Sequence, residues 1–478
     1  MSSQRNLKRS SPWKLRIGER RGVLILGDLL MAVLSLAIAL YNWGLSVRFI
    51  EFDLTFLQER VPAWFYLLPF IWLLLLIELY DVQTAGNWSA TVRGVASAAV
   101  IGFIAYLVLY FYYVDPPRSL LPRRGVAGFL IAASILTLIW RRLYIKIFTA
   151  PQLMRRVLLV GGGKAGSKLL QVADDLWPPP FYIIGVVDDD ESKQGETIED
   201  HSIIGTSENL IDIIAEQNVS DIIVAISGEM RVSMFQALID AQEQGVEITR
   251  MPKAYEELVR RVPIQELEAD WILRSFVDEA RVSRFYETAK RLVDILGGIL
   301  GMLLFIILLP ILALIIIIDD GRPIFYSQTR SGKGGKPYTI YKLRTMRRDA
   351  EANGLPQWAK EDDARATRTG KFLRKTHLDE IPQLINVLNG DMSIIGPRAE
   401  RPEMVELFQQ HIPFYRARLL VKPGITGWAQ VNLGYAATIE ETVTKLECDL
   451  YYIKNRNLLM DIVILLRTPN TVIGFRGR

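Results

Sequence analysis

Five long apolar segments constrain the fold of this chain more than any other feature. Four of them come before residue 149, near Gly22–Tyr41, Trp64–Tyr80, Thr91–Tyr113 and Gly125–Tyr144. A helix of about 20 apolar residues crosses the hydrocarbon core of a bilayer. Hydrophobic residues make up 50% of the chain and are concentrated in these blocks. The sequence therefore predicts a four-helix transmembrane region at residues 22–148.

Charged residues beside the spans predict their orientation. The tail before the first span, residues 1–21, is basic and contains Arg5, Lys8, Arg9, Lys14, Arg16, Arg20 and Arg21. Basic residues favour the cytoplasmic side of a membrane, and Arg141 and Arg142 place the exit of the fourth span there as well. Asp28, inside the first span, marks either a polar pathway or a contact with another helix. The formal net charge of +4 gives no indication of a nucleic-acid partner.

A glycine-rich turn follows the membrane region. An apolar run leads into Gly161, Gly163 and Gly166 in the spacing G-x-G-x-x-G, and Asp188 stands about 20 residues further on, after a second apolar run. In a dinucleotide-binding turn, the pyrophosphate lies at a helix N-terminus and such an acid binds the ribose. The four residues are therefore candidates for binding a nucleotide cofactor.

Two further apolar runs, Asp221–Ile226 and Val246–Pro252, have the character of buried parallel strands. With the glycine-rich turn they predict a doubly wound, Rossmann-like α/β domain at residues 149–255. Two interpretations stay open, a nucleotide-binding domain and a degenerate domain with a regulatory or scaffolding role. A charged connector at residues 256–285 follows.

Two adjacent carboxylates, Asp379 and Glu380, stand where an amphipathic helix is predicted to begin, and Gly390 is predicted to end that helix. Acids in a first helical turn stabilise the helix, and Thr376 lies at the spacing of a capping box. That structural interpretation accounts for the pair alone. It does not account for the basic residues on both sides of the pair.

Those basic residues suit phosphate chemistry. Arg374 precedes the carboxylates and Arg398 follows them, while Lys342 and Arg344 alternate with apolar residues along a predicted strand and would share its polar face. Arginines bind phosphoryl oxygens and carboxylates hold a metal ion in phosphoryl transfer. The charged, irregular segment at 347–369 is predicted to form a mobile loop over the site.

Four sequence blocks carry a family resemblance. LDEIPQLINVLNGDMSIIGPR ends at Arg398, and the others are YKLRTM at Tyr341–Met346, KPGITGWAQVN at Lys422–Asn432 and DLYYIKN at Asp449–Asn455. In this order they resemble the monotopic phosphoglycosyl transferases, the bacterial sugar transferase family, and the whole layout resembles its long form. The resemblance implies transfer of a sugar 1-phosphate from a UDP-sugar to undecaprenyl phosphate, with release of UMP, as the first membrane step of exopolysaccharide, O-antigen or capsule assembly.

The resemblance also implies roles for residues. Asp379 would be the nucleophile that forms a covalent phosphosugar, and Glu380 with Asp379 would hold Mg²⁺. The residues predicted to bind substrate phosphate are Lys342, Arg344, Arg374 and Arg398. Beyond Arg398 the sequence departs from the family, since Ala399 stands where the family usually has proline.

The fifth apolar segment, residues 290–318, is long enough to cross a membrane. The family instead has a re-entrant helix, broken at a Ser-Pro pair, and this chain has Leu309-Pro310 in the second half of the segment. Because nucleotide-activated sugars are cytoplasmic, we expect a re-entrant helix and a catalytic domain, residues 286–478, on the cytoplasmic face of the bacterial inner membrane. The predicted architecture is thus a four-span membrane helical bundle, a Rossmann-like α/β domain and an α/β monotopic catalytic domain, with membrane lipids as neighbours.

Two other functions stay open at this point. A membrane-anchored nucleotide-sugar dehydratase or epimerase would need a second glycine fingerprint around Tyr-x-x-x-Lys, and only the isolated pair Tyr286 and Lys290 is present. A non-catalytic scaffold of polysaccharide synthesis would leave the paired carboxylates unexplained. The sequence does not reveal the sugar, the pathway, or whether the membrane helices form a homodimer.

Overall fold

The computed structural model describes residues 17–46, 54–59, 61–112, 122–148, 154–267, 271, 274–278, 282–347, 365–434 and 438–473. The chain forms two compact units, Met1–Leu258 and Val259–Arg478. The predicted basic tail and the predicted loop at 347–369 lie mostly outside the described residues.

The first unit begins with helices. They are α1 (Ile17–Ser46), α2 (Leu54–Glu59), α3 (Leu68–Leu75), α4 (Val82–Gly86), α5 (Trp88–Tyr112) and α6 (Arg123–Phe148). Among the described residues of this unit, α1, α5 and α6 are long and apolar enough to cross a membrane. They correspond to three of the four predicted spans, and the protein is a multi-pass membrane protein.

The second span at Trp64–Tyr80 stays a prediction, because this segment is helical but is not one regular α-helix. Short 3-10 helices at Ala63–Leu67 and Ile77–Tyr80 lie on either side of α3. The apolar helix Ala63–Leu75 is shorter than the roughly 20 residues that a span requires. Pro69 contributes to the break because it lacks the amide that would continue the preceding turn as α-helix.

A buried ion pair joins α1 to α6. The Arg141 Nη2 atom lies 2.6 Å from Oδ2 of Asp28, and both side chains are 0% exposed. Arg141 also donates a hydrogen bond of 2.8 Å to the carbonyl oxygen of Leu79. Buried charges require such partners. The contact between α1 and α6 therefore accounts for Asp28. This favours a helix contact over a polar pathway.

An α/β sheet forms the rest of the first unit. Its strands are β1 (Arg156–Val160), β2 (Tyr182–Val187), β3 (Thr197–Ile198), β4 (His201–Gly205), β5 (Asp221–Val224) and β6 (Glu247–Arg250), and its helices are α7 (Lys164–Asp174), α8 (Leu210–Gln217), α9 (Val232–Glu243) and α10 (Met251–Val259). The strand order is β3-β4-β2-β1-β5-β6, parallel except for the β3–β4 hairpin. Chain order reverses around β1, where the glycine-rich turn leads into α7. The predicted parallel α/β sheet is confirmed.

The second unit contains short strands and many helices. Its strands are β7 (Phe325–Ser331), β8 (Pro337–Leu343), β9 (Ser393–Ile395) and β10 (Gly424–Thr426), and its helices are α11 (Arg284–Asp320), α12 (Arg368–Lys375), α13 (Leu384–Asn389), α14 (Pro402–His411), α15 (Trp428–Asn432), α16 (Ile439–Asn455) and α17 (Leu458–Ile473). β7 and β8 form an antiparallel hairpin, and β9 and β10 pair in parallel. The described part of the connector contains a π-helix at Arg274–Asp278.

The long helix α11 continues through Pro310 as one helix of 37 residues. Near its beginning, Asp294 accepts a hydrogen bond of 2.9 Å from the hydroxyl of Ser393. At its end, Asp319 accepts one of 2.9 Å from the amide of Thr369. The unit therefore packs along α11 from one end to the other. The opposite face exposes apolar side chains, including Leu292, Leu296, Leu300, Leu303, Ile307, Ile311, Leu314 and Ile318.

Candidate active site

The paired carboxylates lie on a 3-10 helix, Leu378–Gln383, between α12 and α13. Asp379 and Glu380 are each 6% exposed. The predicted capping box is not formed, because the hydroxyl of Thr376 donates to the preceding turn of α12 instead. The structural interpretation of the pair as capping residues is therefore wrong, and both side chains are available to a buried site.

Glu380 is held by two cations. Its Oε1 atom accepts hydrogen bonds from Lys342 Nζ at 2.7 Å and from Arg398 Nη2 at 2.6 Å. Burial alone would raise the pKa of Glu380, but the charges of Arg398 and Lys342 hold that pKa well below its ordinary value. The Glu380 side chain is therefore a fixed negative charge between Lys342, from β8, and Arg398, which follows β9.

The carboxylate of Asp379 has different surroundings from that of Glu380. Burial raises the pKa of its carboxyl to about 6, against the opposing charge of Lys342 and with a further increase from Glu380. Within the part of the chain that the structure describes, no group donates a hydrogen bond to this carboxylate. Asp379 thus has free oxygen lone pairs, and its raised pKa makes the carboxylate more basic than that of an ordinary aspartate.

The other predicted phosphate-binding residues fall in two places. Arg374, on α12, is buried, and its positive charge lowers the pKa of Asp379, although burial has the larger and opposite effect. Arg344 does not share the polar face of Lys342. Its Nη2 atom donates to the carbonyl oxygens of Asp320 and Gly321 at 2.8 and 2.7 Å and so caps the end of α11. Phosphate binding by Arg344 stays a prediction.

Three residues near Arg398, of which two are buried and Arg330 is half-buried, were not predicted from the sequence as site residues. Arg418 donates a hydrogen bond of 3.0 Å to the backbone carbonyl of Arg398 and one of 2.8 Å to Asp449, and Arg330 donates to the next carbonyl, that of Ala399, at 3.0 Å. The available signal was Asp449, which begins the block DLYYIKN. Its partners are distant in sequence.

Tyr286 and Lys290, which have the Tyr-x-x-x-Lys spacing, both bind Asp461. The tyrosine hydroxyl and the lysine ammonium each lie 3.0 Å from Oδ2 of Asp461. They lie in the first turns of α11 and link it to α17. In the described part of the second unit, the sheets are two-stranded, so the pair lacks the nucleotide-binding sheet that a dehydratase or epimerase needs.

The glycine-rich turn of the first unit has its predicted conformation. Gly161 has φ +106°, and a β-carbon on Gly166 would lie 2.2 Å from the carbonyl oxygen of Gly161. Asp188 reaches this turn, but its carboxylate is already used. It accepts hydrogen bonds of 2.7 Å from the amide of Gly162 and 3.2 Å from Lys193.

The β3–β4 hairpin covers part of the same turn. A β-carbon on Gly162 would lie 2.4 Å from the Ile198 side chain, whereas nothing lies within 4 Å of one on Gly163. Ser167, in the first turn of α7, donates a hydrogen bond of 2.7 Å to Glu199. These contacts do not fit a nucleoside bound over Gly162. Nucleotide binding stays a prediction, which titration of the purified protein with NAD, NADP and other nucleotides will test.

Comparison with known proteins agrees with the geometry of the second unit. Residues 285–475 match the family described as bacterial sugar transferase. A putative undecaprenyl-phosphate N-acetylgalactosaminyl 1-phosphate transferase of Bacillus subtilis is 44% identical over 147 residues, which are 31% of this chain and 81% of that protein. The chain belongs to the bacterial sugar transferase family. The predicted membership is confirmed.

Other members of the bacterial sugar transferase family match different shares of the chain. A UDP-N-acetylgalactosamine-undecaprenyl-phosphate N-acetylgalactosaminephosphotransferase of Aeromonas hydrophila is 45% identical over 41% of this chain, and the match spans 46% of that protein. An undecaprenyl-phosphate glucose phosphotransferase of Komagataeibacter xylinus is 25% identical over 84% of this chain and 75% of its own length. Residues 76–252 match a second family, described as CoA-binding domain.

The donor set of this bacterial sugar transferase fits Mg²⁺. Within the described residues, no group of three or more His, Cys, Asp or Glu side chains forms a metal cage. Mg²⁺ does not need such a cage, because it binds through one or two carboxylates together with water and substrate phosphates. Asp379 and Glu380 provide two neighbouring carboxylates of this kind.

Proposed function

We propose that this protein transfers a sugar 1-phosphate from a UDP-sugar to undecaprenyl phosphate and releases UMP, as the first membrane step in the assembly of a polysaccharide. The family membership supports the class of enzyme. The names of the three relatives all include undecaprenyl phosphate, and the name of the Aeromonas hydrophila protein also includes the donor UDP-N-acetylgalactosamine. The observation that carries the proposal is the buried, unshared carboxylate of Asp379 beside the Glu380, Lys342 and Arg398 cluster.

Asp379 would act in the first of two displacements. A carboxylate oxygen attacks the phosphorus atom that carries the sugar, a new oxygen–phosphorus bond forms, and the bond to the UMP phosphate breaks, so that UMP leaves with the electron pair. An oxygen of undecaprenyl phosphate then attacks the same phosphorus and releases the carboxylate of Asp379. Covalent catalysis divides one difficult transfer into two steps.

The surrounding charges suit this chemistry. Two substrate phosphates bring negative charge toward two carboxylates, and the cations Lys342, Arg374 and Arg398 offset it. In phosphoryl transfer most of the catalysis comes from positioning and electrostatic stabilisation. Bound Mg²⁺, held by Asp379 and Glu380, would neutralise phosphate charge. Glu380 would hold Lys342 and Arg398 in place and would not itself attack the phosphorus atom.

The placement of α11 is part of the proposal. Asp294, in the third turn of α11, binds Ser393, and Asp319, in its last turn, binds Thr369. Because both partners belong to the same unit, a simple crossing would carry part of this unit through the bilayer. A re-entrant path keeps both ends at one surface, with the exposed apolar face toward lipid. The active site then lies on the cytoplasmic face of the inner membrane, where UDP-sugars are found.

Cysteine labelling tests this placement. The exposed Lys336, at the base of the β7–β8 turn, is replaced by cysteine, while the native Cys448 is buried and gives little background. We expect a membrane-impermeant maleimide to label Lys336→Cys in inside-out vesicles and not in intact spheroplasts. Wild-type protein is the control in both preparations. Labelling in spheroplasts alone would contradict the re-entrant path.

The activity is tested by UMP release from detergent-solubilised protein with Mg²⁺, undecaprenyl phosphate and a panel of UDP-sugars. We expect UMP with one donor sugar, and the same assay identifies that sugar. Release of UDP instead would indicate ordinary glycosyl transfer and would contradict the proposal.

A further inference from the structure

The chain immediately after Arg398 is held by its backbone. Each of the three carbonyl oxygens in the segment 398–400 accepts a hydrogen bond from outside the segment. The donors, in chain order, are Arg418 Nη2 at 3.0 Å, Arg330 Nη1 at 3.0 Å and the amide of Ser331 at 2.9 Å. Two arginine side chains therefore bind protein backbone here, although a phosphate-binding site would otherwise use them for substrate.

Arg418 is itself fixed. Its side chain is 8% exposed, and it also contacts the carboxylate of Asp449 at 2.8 Å, the hydroxyl of Tyr415 at 2.6 Å and the carboxylate of Glu400 at 3.6 Å. A buried ion pair usually costs as much in desolvation as it returns in attraction, so stability alone is a weak reason for it. Its geometry offers another reason, because one guanidinium joins α16 to the backbone of Arg398.

We propose that Arg418 and Arg330 are positioning residues that fix the guanidinium of Arg398 on Glu380. The inference rests on the proposed function and deepens it. Arg398 Nη2 lies 2.6 Å from Oε1 of Glu380, and a misplacement of about 1 Å is enough to cost on the order of 100-fold in rate. The backbone clamp prevents that displacement.

The test is kinetic, with UMP release as the assay. We expect Arg418→Met to lower kcat by about 10- to 100-fold and to change KM for the UDP-sugar far less, because the guanidinium of Arg418 is bonded to protein groups. Arg416→Met is the matched control, since Arg416 lies in the same 3-10 helix and is exposed, and we expect it to keep wild-type kcat. Arg418→Lys keeps the positive charge but loses the guanidinium group that bonds the Arg398 carbonyl and Asp449 together, and we expect an intermediate kcat.

The readout that a purely structural role would not move is the split between kcat and KM. A kcat for Arg418→Met equal to that of Arg416→Met would overturn the inference. A loss that appears only in KM, or one that Arg418→Lys does not partly recover, would overturn it as well.

If Arg418→Met does not fold, Arg330→Met decides, since Arg330 holds the neighbouring carbonyl, and an unchanged kcat for it would overturn the inference. If wild-type protein releases no UMP with any donor, the proposed function fails first. Active wild-type protein with fully active clamp variants is a failure of this inference alone.

Discussion

Replacement of Asp379 by asparagine is expected to lower UMP release by at least on the order of 10³-fold, since loss of a catalytic nucleophile in an enzyme with a covalent intermediate has effects of this size or larger. The change is nearly isosteric, and the structure gives the Asp379 carboxylate no hydrogen bond within the described residues, so little packing is lost. UMP release and intact-protein mass are measured together. In wild-type protein without undecaprenyl phosphate, the mass increase should equal one phosphosugar.

Asp212→Asn is the matched control for that experiment, because Asp212 is exposed on α8, in the other unit. It should keep wild-type activity and adduct formation. Residual activity above about one tenth in Asp379→Asn would mean that Asp379 does not form the intermediate. An adduct that persists in Asp379→Asn would indicate a different nucleophile.

Replacement of Glu380 by glutamine is expected to lower both activity and stability. The neutral amide leaves Lys342 and Arg398 without their shared counter-charge. The side chain at this position is only 7% exposed. Breaking a buried ion pair from one side costs about 3–5 kcal/mol, and the 31% exposure of Arg398 reduces that to roughly 2–3 kcal/mol. The midpoint of thermal unfolding should fall by several degrees, and kcat by about 100-fold or more.

A second substitution separates the two effects of Glu380→Gln. Lys342→Met in the same chain removes the unpaired cation, so part of the unfolding midpoint should return while activity should not. Glu406→Gln, at an exposed position on α14, serves as the control and should match wild type. Wild-type activity in Glu380→Gln would contradict any role for this carboxylate, and recovery of activity in the double variant would show that its role is only to neutralise Lys342.

Helix length and local turns follow from sequence because they depend on neighbouring residues. The length of the apolar segments predicted α1, α5 and α6, and the spacing of glycines predicted the turn at Gly161. The adjacency of Asp379 and Glu380, with the blocks around them, predicted the family. At Trp64–Tyr80, length and composition predicted one span, and the structure has 3-10 helices on both sides of α3 there.

The sequence by itself determined which elements this chain forms, which family it belongs to and which carboxylates are candidates for its chemistry. Only the tertiary structure decided which charges meet. Arg344 and Lys342 are two residues apart, yet one caps α11 and the other binds Glu380, while Arg418 reaches Arg398 from a separate helix. A long charged side chain takes its partner from whatever packs against its element, and periodicity within one segment contains no information about that neighbour.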